Sequence, residues 1–246
     1  MSKFQDKLLS MVMGCLLVVS MLVLSKEAAE YASSGAVQVG EQAQDKKPCV
    51  VIDAGHGGSD PGKVGINGAL EKDINLSIAL IVKQFLEAND VEVVLTRETD
   101  EGLYDDNASN KKVQDMKQRV SIIEETAPMV TVSIHQNSYP QEYVHGAQVF
   151  YYDTSVEGKK LAEIIQERLV EDIDPQNNRQ VKANDSYYLL KKTATPIVIV
   201  ECGFLSNSEE AAKLCDPLYQ EKVAWAIHLG ILQYLNTTVQ PETIFG

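Results

Sequence analysis

From Lys47 onward, short apolar runs alternate with stretches in which apolar residues recur every three or four positions. Cys49-Val50-Val51-Ile52 is an apolar run entering the Gly-rich segment Ala54-Gly55-His56-Gly57-Gly58, which predicts a buried strand leading into a loop. Between Leu70 and Ala88, Ile74, Ile78, Ile81, Val82 and Phe85 share one helical face. Val91 to Leu95 reads as a strand, Glu98 to Asn107 as an acidic loop, and Ser109 as the cap of a helix over Lys111 to Glu124. Met129 to Ile134 and Ala147 to Tyr152 read as strands, with a helix from Ser155 to Val170 after them. Ile197 to Val200 is a β-branched strand following Pro196. Ser206-x-x-Glu209 has the form of a capping box for a short helix, and Asp216-Pro217 opens a last helix to about Tyr234.

This alternation predicts an α/β fold: a single domain with a mostly parallel or mixed twisted sheet flanked by helices on both faces. The expected organisation is a signal peptide or membrane anchor over 1–25, a linker over 26–47, a folded domain over 48–236 and a C-terminal tail over 237–246. The uncharged run Leu8 to Leu24 follows Lys3 and Lys7. As a helix it would span about 26 Å, close to the apolar thickness of a bilayer. Export with cleavage and retention as an uncleaved anchor both fit it. Residues from about Lys26 to Lys47 are small and polar, as in a linker.

Composition narrows the function. The 246 residues carry 22 Lys plus Arg against 35 Asp plus Glu, a net charge of −13. No basic footprint for nucleic acid is present overall. Four cysteines, none in C-x-x-C spacing, exclude a zinc finger or a disulfide scaffold.

Polar residues with chemical potential fall where strands are expected to stop. His56 lies just past the first strand, His135 follows Ile134 and Glu201 follows Val200, while Glu71 opens the first long helix. If the strands are parallel, all four gather at one edge of the sheet, where open α/β sheets bind ligands. Two histidines and one carboxylate make the ligand set of a catalytic zinc site, and a second acid beside it suits a general base. Plainer roles remain open: a histidine donating to a backbone carbonyl after a turn, or an acid complementing a helix dipole. Cys202 is a poor nucleophile candidate, because strand alternation turns it away from the face of Glu201. His145 and His228 carry no chemical signal.

Val51-Ile52-Asp53-Ala54-Gly55-His56-Gly57-Gly58-Ser59-Asp60-Pro61-Gly62, with Leu70-Glu71-Lys72-Asp73-Ile74-Asn75-Leu76, resembles the opening of the zinc N-acetylmuramoyl-L-alanine amidases of the amidase-3 family. Thr96-Arg97-Glu98-Thr99-Asp100, Ser133-Ile134-His135-Gln136-Asn137 and Val200-Glu201-Cys202-Gly203-Phe204-Leu205-Ser206-Asn207 resemble its later motifs, in order. The departures are small: Ala54 stands where proline is common, and Gln136 where a small apolar residue is common. By position, the resemblance implies that His56, Glu71 and His135 hold Zn2+ and that Glu201 is the catalytic glutamate.

The implied reaction is hydrolysis of the amide between the lactyl group of N-acetylmuramic acid and L-alanine in peptidoglycan. Lys111 to Ile123, Lys191-Lys192-Thr193 and Tyr219 to Tyr234 resemble the sporulation branch. That branch acts on spore cortex and prepares muramic-δ-lactam. The resemblance further implies an extracytoplasmic location, secreted or anchored through 8–24, with the forespore intermembrane space as one setting. A lipoprotein partner assists some clostridial relatives. A zinc carboxypeptidase and a catalytically dead peptidoglycan-binding factor are the competing readings. Asp53 is expected either to orient a ligand histidine or to serve a turn, and Arg97 and Arg119 to meet substrate carboxylates or to form surface ion pairs.

Overall fold

The computed structural model describes residues 47–239; the expectations for 1–46 and 240–246 lie outside them. The chain folds as β1 (Cys49–Ala54), α1 (Glu71–Glu87), β2 (Glu92–Leu95), α2 (Lys111–Thr126), β3 (Val130–Asn137), β4 (Gln148–Tyr152), α3 (Val156–Asp172), β5 (Lys182–Asn184), α4 (Tyr188–Lys192), β6 (Ile197–Phe204), α5 (Ser208–Leu214) and α6 (Pro217–Val239). The strands form one sheet in the order β2-β1-β3-β6-β4-β5. β2, β1, β3 and β6 run parallel, β4 joins β6 antiparallel, and β5 pairs parallel with β4. The sheet is therefore mixed.

Alternation along the strands divides the apolar residues between two faces. Val50, Ile52 and Ala54 of β1, Val132 and Ile134 of β3, and Val198, Val200 and Cys202 of β6 pack under α1, α3, α5 and α6. Val51, Ile197 and Ile199 face the other way, against Ile123 of α2 and Leu189 and Leu190 of α4. On that second face the residues nearest the carboxyl ends of the strands are polar: Asp53, Ser133, His135 and Glu201. Two apolar layers clamp the sheet, and the site occupies the polar end of one of them.

Several expected boundaries move. β3 and β6 run on through His135 and Glu201, which sit inside strands rather than beyond them, because parallel pairing continues where His135 meets Glu201 in register. Asn110, not Ser109, caps α2 by accepting from Val113 N, and Asn207, not Ser206, caps α5 by accepting from Glu210 N. β5 and α4 are additional elements. Among the described residues no helix is long and apolar enough to cross a membrane.

Candidate active site

The turn after β1 carries His56 in the left-handed region, at φ 63°. A non-glycine residue there is uncommon and must be held by its surroundings. Arg119 Nη2 donates to the His56 carbonyl at 2.6 Å. Asp60 Oδ2 lies 3.0 Å from His56 Nδ1, while Asp60 Oδ1 accepts from Gly62 N at 3.0 Å. The carboxylate thus occupies Nδ1 and turns Nε2 toward Glu71, whose Oε1 is 3.3 Å away.

Glu71 is the first residue of α1 and is buried. Its Oε2 accepts from Lys63 N at 2.7 Å, and its Oε1 accepts from Gln136 N at 3.0 Å. His135 Nδ1 approaches the same Oε1 at 3.0 Å. The four-residue run Ile134–Asn137 therefore supplies both an imidazole and a backbone donor to the acid. Asn75, one helical turn beyond Glu71, donates to the Gly55 carbonyl at 3.0 Å and ties α1 to the β1 turn.

One potential ligand atom from each of His56, Glu71 and His135 lies within 4.8 Å of the others. Two glycines leave room for this cluster. A Cβ on Gly55 would collide with the His135 ring, and one on Gly62 would come within 2.6 Å of Glu71 Oε2 and 2.7 Å of His56 Cδ2. The imidazoles and the carboxylate match the donor preferences of a borderline-soft cation such as zinc, so the three side chains could hold a metal ion.

The charges reflect this crowding. Burial alone would raise Glu71, but hydrogen bonds and attraction from His135 and His56 hold its carboxyl far below the usual range. Burial would lower His56, yet Glu71 and then Asp60 raise it to about 9. Glu201 behaves in the opposite sense. Burial, with the charge of Glu71 adding to it against the pull of His135, pushes it up to about 7. It is 7% exposed, and its Oε2 is buried without a hydrogen-bond partner. His56, His135 and Glu201 line one cavity, walled by Met116 of α2 and by Tyr187 and Leu189 at α4.

Asp53, Arg97 and Arg119 lie in a buried network beneath the turn that carries His56. Among the described residues Asp53 makes no hydrogen bond to His56 or His135; its oxygens accept from Arg119, Thr96 and Ser133. Arg97 and Arg119 are buried rather than on the surface. Arg97 donates to the carbonyls of Ala54, Gly55, Lys72 and Thr99. Arg119 bonds Asp53, Asp115 and the carbonyls of Ala54 and His56. Both are spent on fixing the turn that bears His56, because a buried guanidinium must satisfy its donors locally. Cys202 lies on the opposite face from Glu201, as alternation requires, and burial raises its thiol beyond the nucleophilic range.

Residues 50–233 match the family model for N-acetylmuramoyl-L-alanine amidases. The chain belongs to the N-acetylmuramoyl-L-alanine amidase family. It is 37% identical over 195 residues to the germination-specific N-acetylmuramoyl-L-alanine amidase of Bacillus subtilis, across 78% of this chain and 81% of that protein. Among solved structures of amidases, it is similar to CwlD from Clostridioides difficile in complex with the GerS lipoprotein. That likeness has a TM-score of 0.76 and 42% identity, covering 78% of this chain and 100% of that one. AmiC2 of Nostoc punctiforme is also similar, with a TM-score of 0.68 and 36% identity over 78% of this chain and 98% of that one.

Two residues beside the site were not singled out for it in the sequence. Asp60 could have been found from its position four residues after His56 in the glycine-rich turn. Tyr187 has no local signal, since only β5 and α4 bring it to Glu201.

Proposed function

We propose that this amidase-family chain is a zinc-dependent hydrolase of peptidoglycan. It cleaves the amide between the lactyl group of N-acetylmuramic acid and L-alanine, outside the cytoplasmic membrane. The observation that carries the reading is the convergence of His56, Glu71 and His135, with buried Glu201 in register beside His135. His56, Glu71 and His135 would hold the ion. When bound, zinc supplies Lewis acidity, polarising the amide carbonyl and making a nearby water a stronger acid.

The chain's own part is proton management. Glu201 Oε2 takes a proton from the attacking water as the new C–O bond forms. It then delivers that proton to the alanine nitrogen as the C–N bond breaks. A buried carboxyl beside the reacting centre is suited to carry a proton in this way. Asp60 keeps the His56 ring oriented, and Arg97 and Arg119 hold the backbone beneath it. The products are a peptide-free lactyl group on the glycan and a free stem peptide.

We assign the chain to the germination branch, acting in spore cortex as a step towards muramic-δ-lactam. The similarity to the germination-specific enzyme of Bacillus subtilis supports that assignment. A lipoprotein partner belongs to the same reading, supported by the structure that holds CwlD with GerS. The test is mass spectrometry of spore-cortex peptidoglycan digested by the purified protein, with and without a chelator. The expected products are free stem peptides and glycan strands lacking them, both abolished by chelation. Release of only C-terminal amino acids would establish a carboxypeptidase instead, and no release in the zinc-loaded protein would leave a binding factor.

A further inference from the structure

The Glu201 carboxylate has one hydrogen-bond partner among the described residues. The Tyr187 hydroxyl donates to its Oε1 at 3.5 Å, and Oε2 has none. A buried carboxylate with so little support should be free to change rotamer, yet proton transfer demands a fixed one. Tyr187 is itself held on two sides. Its ring stands edge-on to Phe150 with centroids 5.5 Å apart, and its N–H donates to Asn184 Oδ1 at 2.7 Å. Asn184 Oδ1 also accepts from Ser186 N at 2.8 Å, which fixes the turn between β5 and α4. Burial, with the charge of Glu201 beside it, raises the phenol to about 12, so it stays a donor across the working range.

We propose that Tyr187 is a positioning residue for the hydrolysis. Its hydroxyl holds Oε1 of Glu201, fixing the carboxylate so that Oε2 is the oxygen that carries the proton. The proposal rests on the amidase reading above. The contact is long, as hydrogen bonds between catalytic groups often are before substrate closes the site. The edge strand β5, parallel to β4, and the five-residue helix α4 flank the turn that carries Tyr187. They bring a rigid aromatic donor to an acid that the sheet alone cannot orient.

Tyr187→Phe keeps the ring on Phe150 and removes only the hydroxyl. On a muropeptide carrying the lactyl–L-alanine amide, the zinc-loaded variant should lose about tenfold or more in kcat, with KM within about twofold. Bound zinc should stay at the wild-type level. A second measurement does not depend on turnover: thermal unfolding of Tyr187→Phe, Glu201→Leu and the double variant. If the hydroxyl holds the carboxylate, the shifts in Tm should fail to add by about 2 °C or more. Additive shifts overturn the proposal even if activity falls, because the hydroxyl then acts on the substrate. Wild-type kcat in Tyr187→Phe overturns it as well. A wild-type protein that cleaves no amide defeats the amidase reading instead, and the unfolding cycle still decides whether Tyr187 holds Glu201.

Discussion

Arg119 of α2 reaches Asp53 near the end of β1, Nη1 to Oδ1 at 2.5 Å, with both side chains buried. Asp115 accepts from the Nε of the same guanidinium at 2.6 Å, and its Nη atoms also donate to the carbonyls of Ala54 and His56. The ion network lies directly beneath the turn that aims His56. It links a helix on one face of the sheet to the backbone geometry of the site.

Arg119→Met should therefore cost about 3–5 kcal/mol, because it strands two acids in a low-dielectric interior. Urea unfolding would read this as a lower midpoint. Arg119→Lys should recover only part of it, since an ammonium cannot span two carboxylates and two carbonyls in one plane. Equal stability of Lys and Arg at this position would show that the network contributes charge alone.

Asp53 gives the network a pH signature. Burial would raise its carboxyl, but Arg119 first, and then Ser133, His135 and Thr96, bring it down to about 2. Its folded value lies below its unfolded one, so its contribution is complete above about pH 4 and is lost as pH falls through 2. Thermal unfolding followed from pH 5 to pH 2 should show a fall in Tm that is shallower in Asp53→Asn. That variant is less stable at neutral pH, having left Arg119 partly unpaired.

Asp60→Asn should weaken metal binding by about 10–100-fold, the usual cost of removing a carboxylate that orients a ligand histidine. Competition against a chromophoric chelator measures it without reference to turnover. The fold should be little affected, because Asp60 is half-exposed and sits outside both apolar layers. Unchanged affinity would mean that the turn alone orients His56.

Glu201→Gln keeps the shape of the side chain and removes its capacity to carry a proton. Zinc content should remain near that of the wild type, and kcat should fall by about 10²–10⁴-fold. Wild-type turnover of cortex fragments by this variant would remove Glu201 from the mechanism.

The long periodic elements were legible in the sequence because their patterns follow from burial. Ile74, Ile78 and Val82 define the inner face of α1, and Val198 and Val200 define one face of β6. The convergence of His56, Glu71, His135 and Glu201 was legible too, since strand direction and alternation suffice to bring them to one end of the sheet. The helix caps were misassigned by one residue where two cap-forming residues adjoin. Asn110 and Asn207 won over serines of similar capping strength, and Ser206 instead accepts from Tyr139 N. β5 and α4 were invisible. Lys182-Ala183-Asn184 has no apolar alternation, and five residues are too few for helical periodicity. Their stability comes from edge pairing with β4 and from burying Leu189 and Leu190. The same long-range effects hid the true roles of Asp53, Arg97 and Arg119, whose partners lie up to 80 residues away.

His56 sits in the left-handed region, which glycine adopts at less cost than a residue with a side chain. The enzyme thus keeps an imidazole at a place where folding alone would prefer another residue. A descendant of this chain released from hydrolysis would be expected to change there early and to become sturdier by doing so. Replacing the imidazole by glycine would relax the turn at the cost of one of the three side chains that converge there.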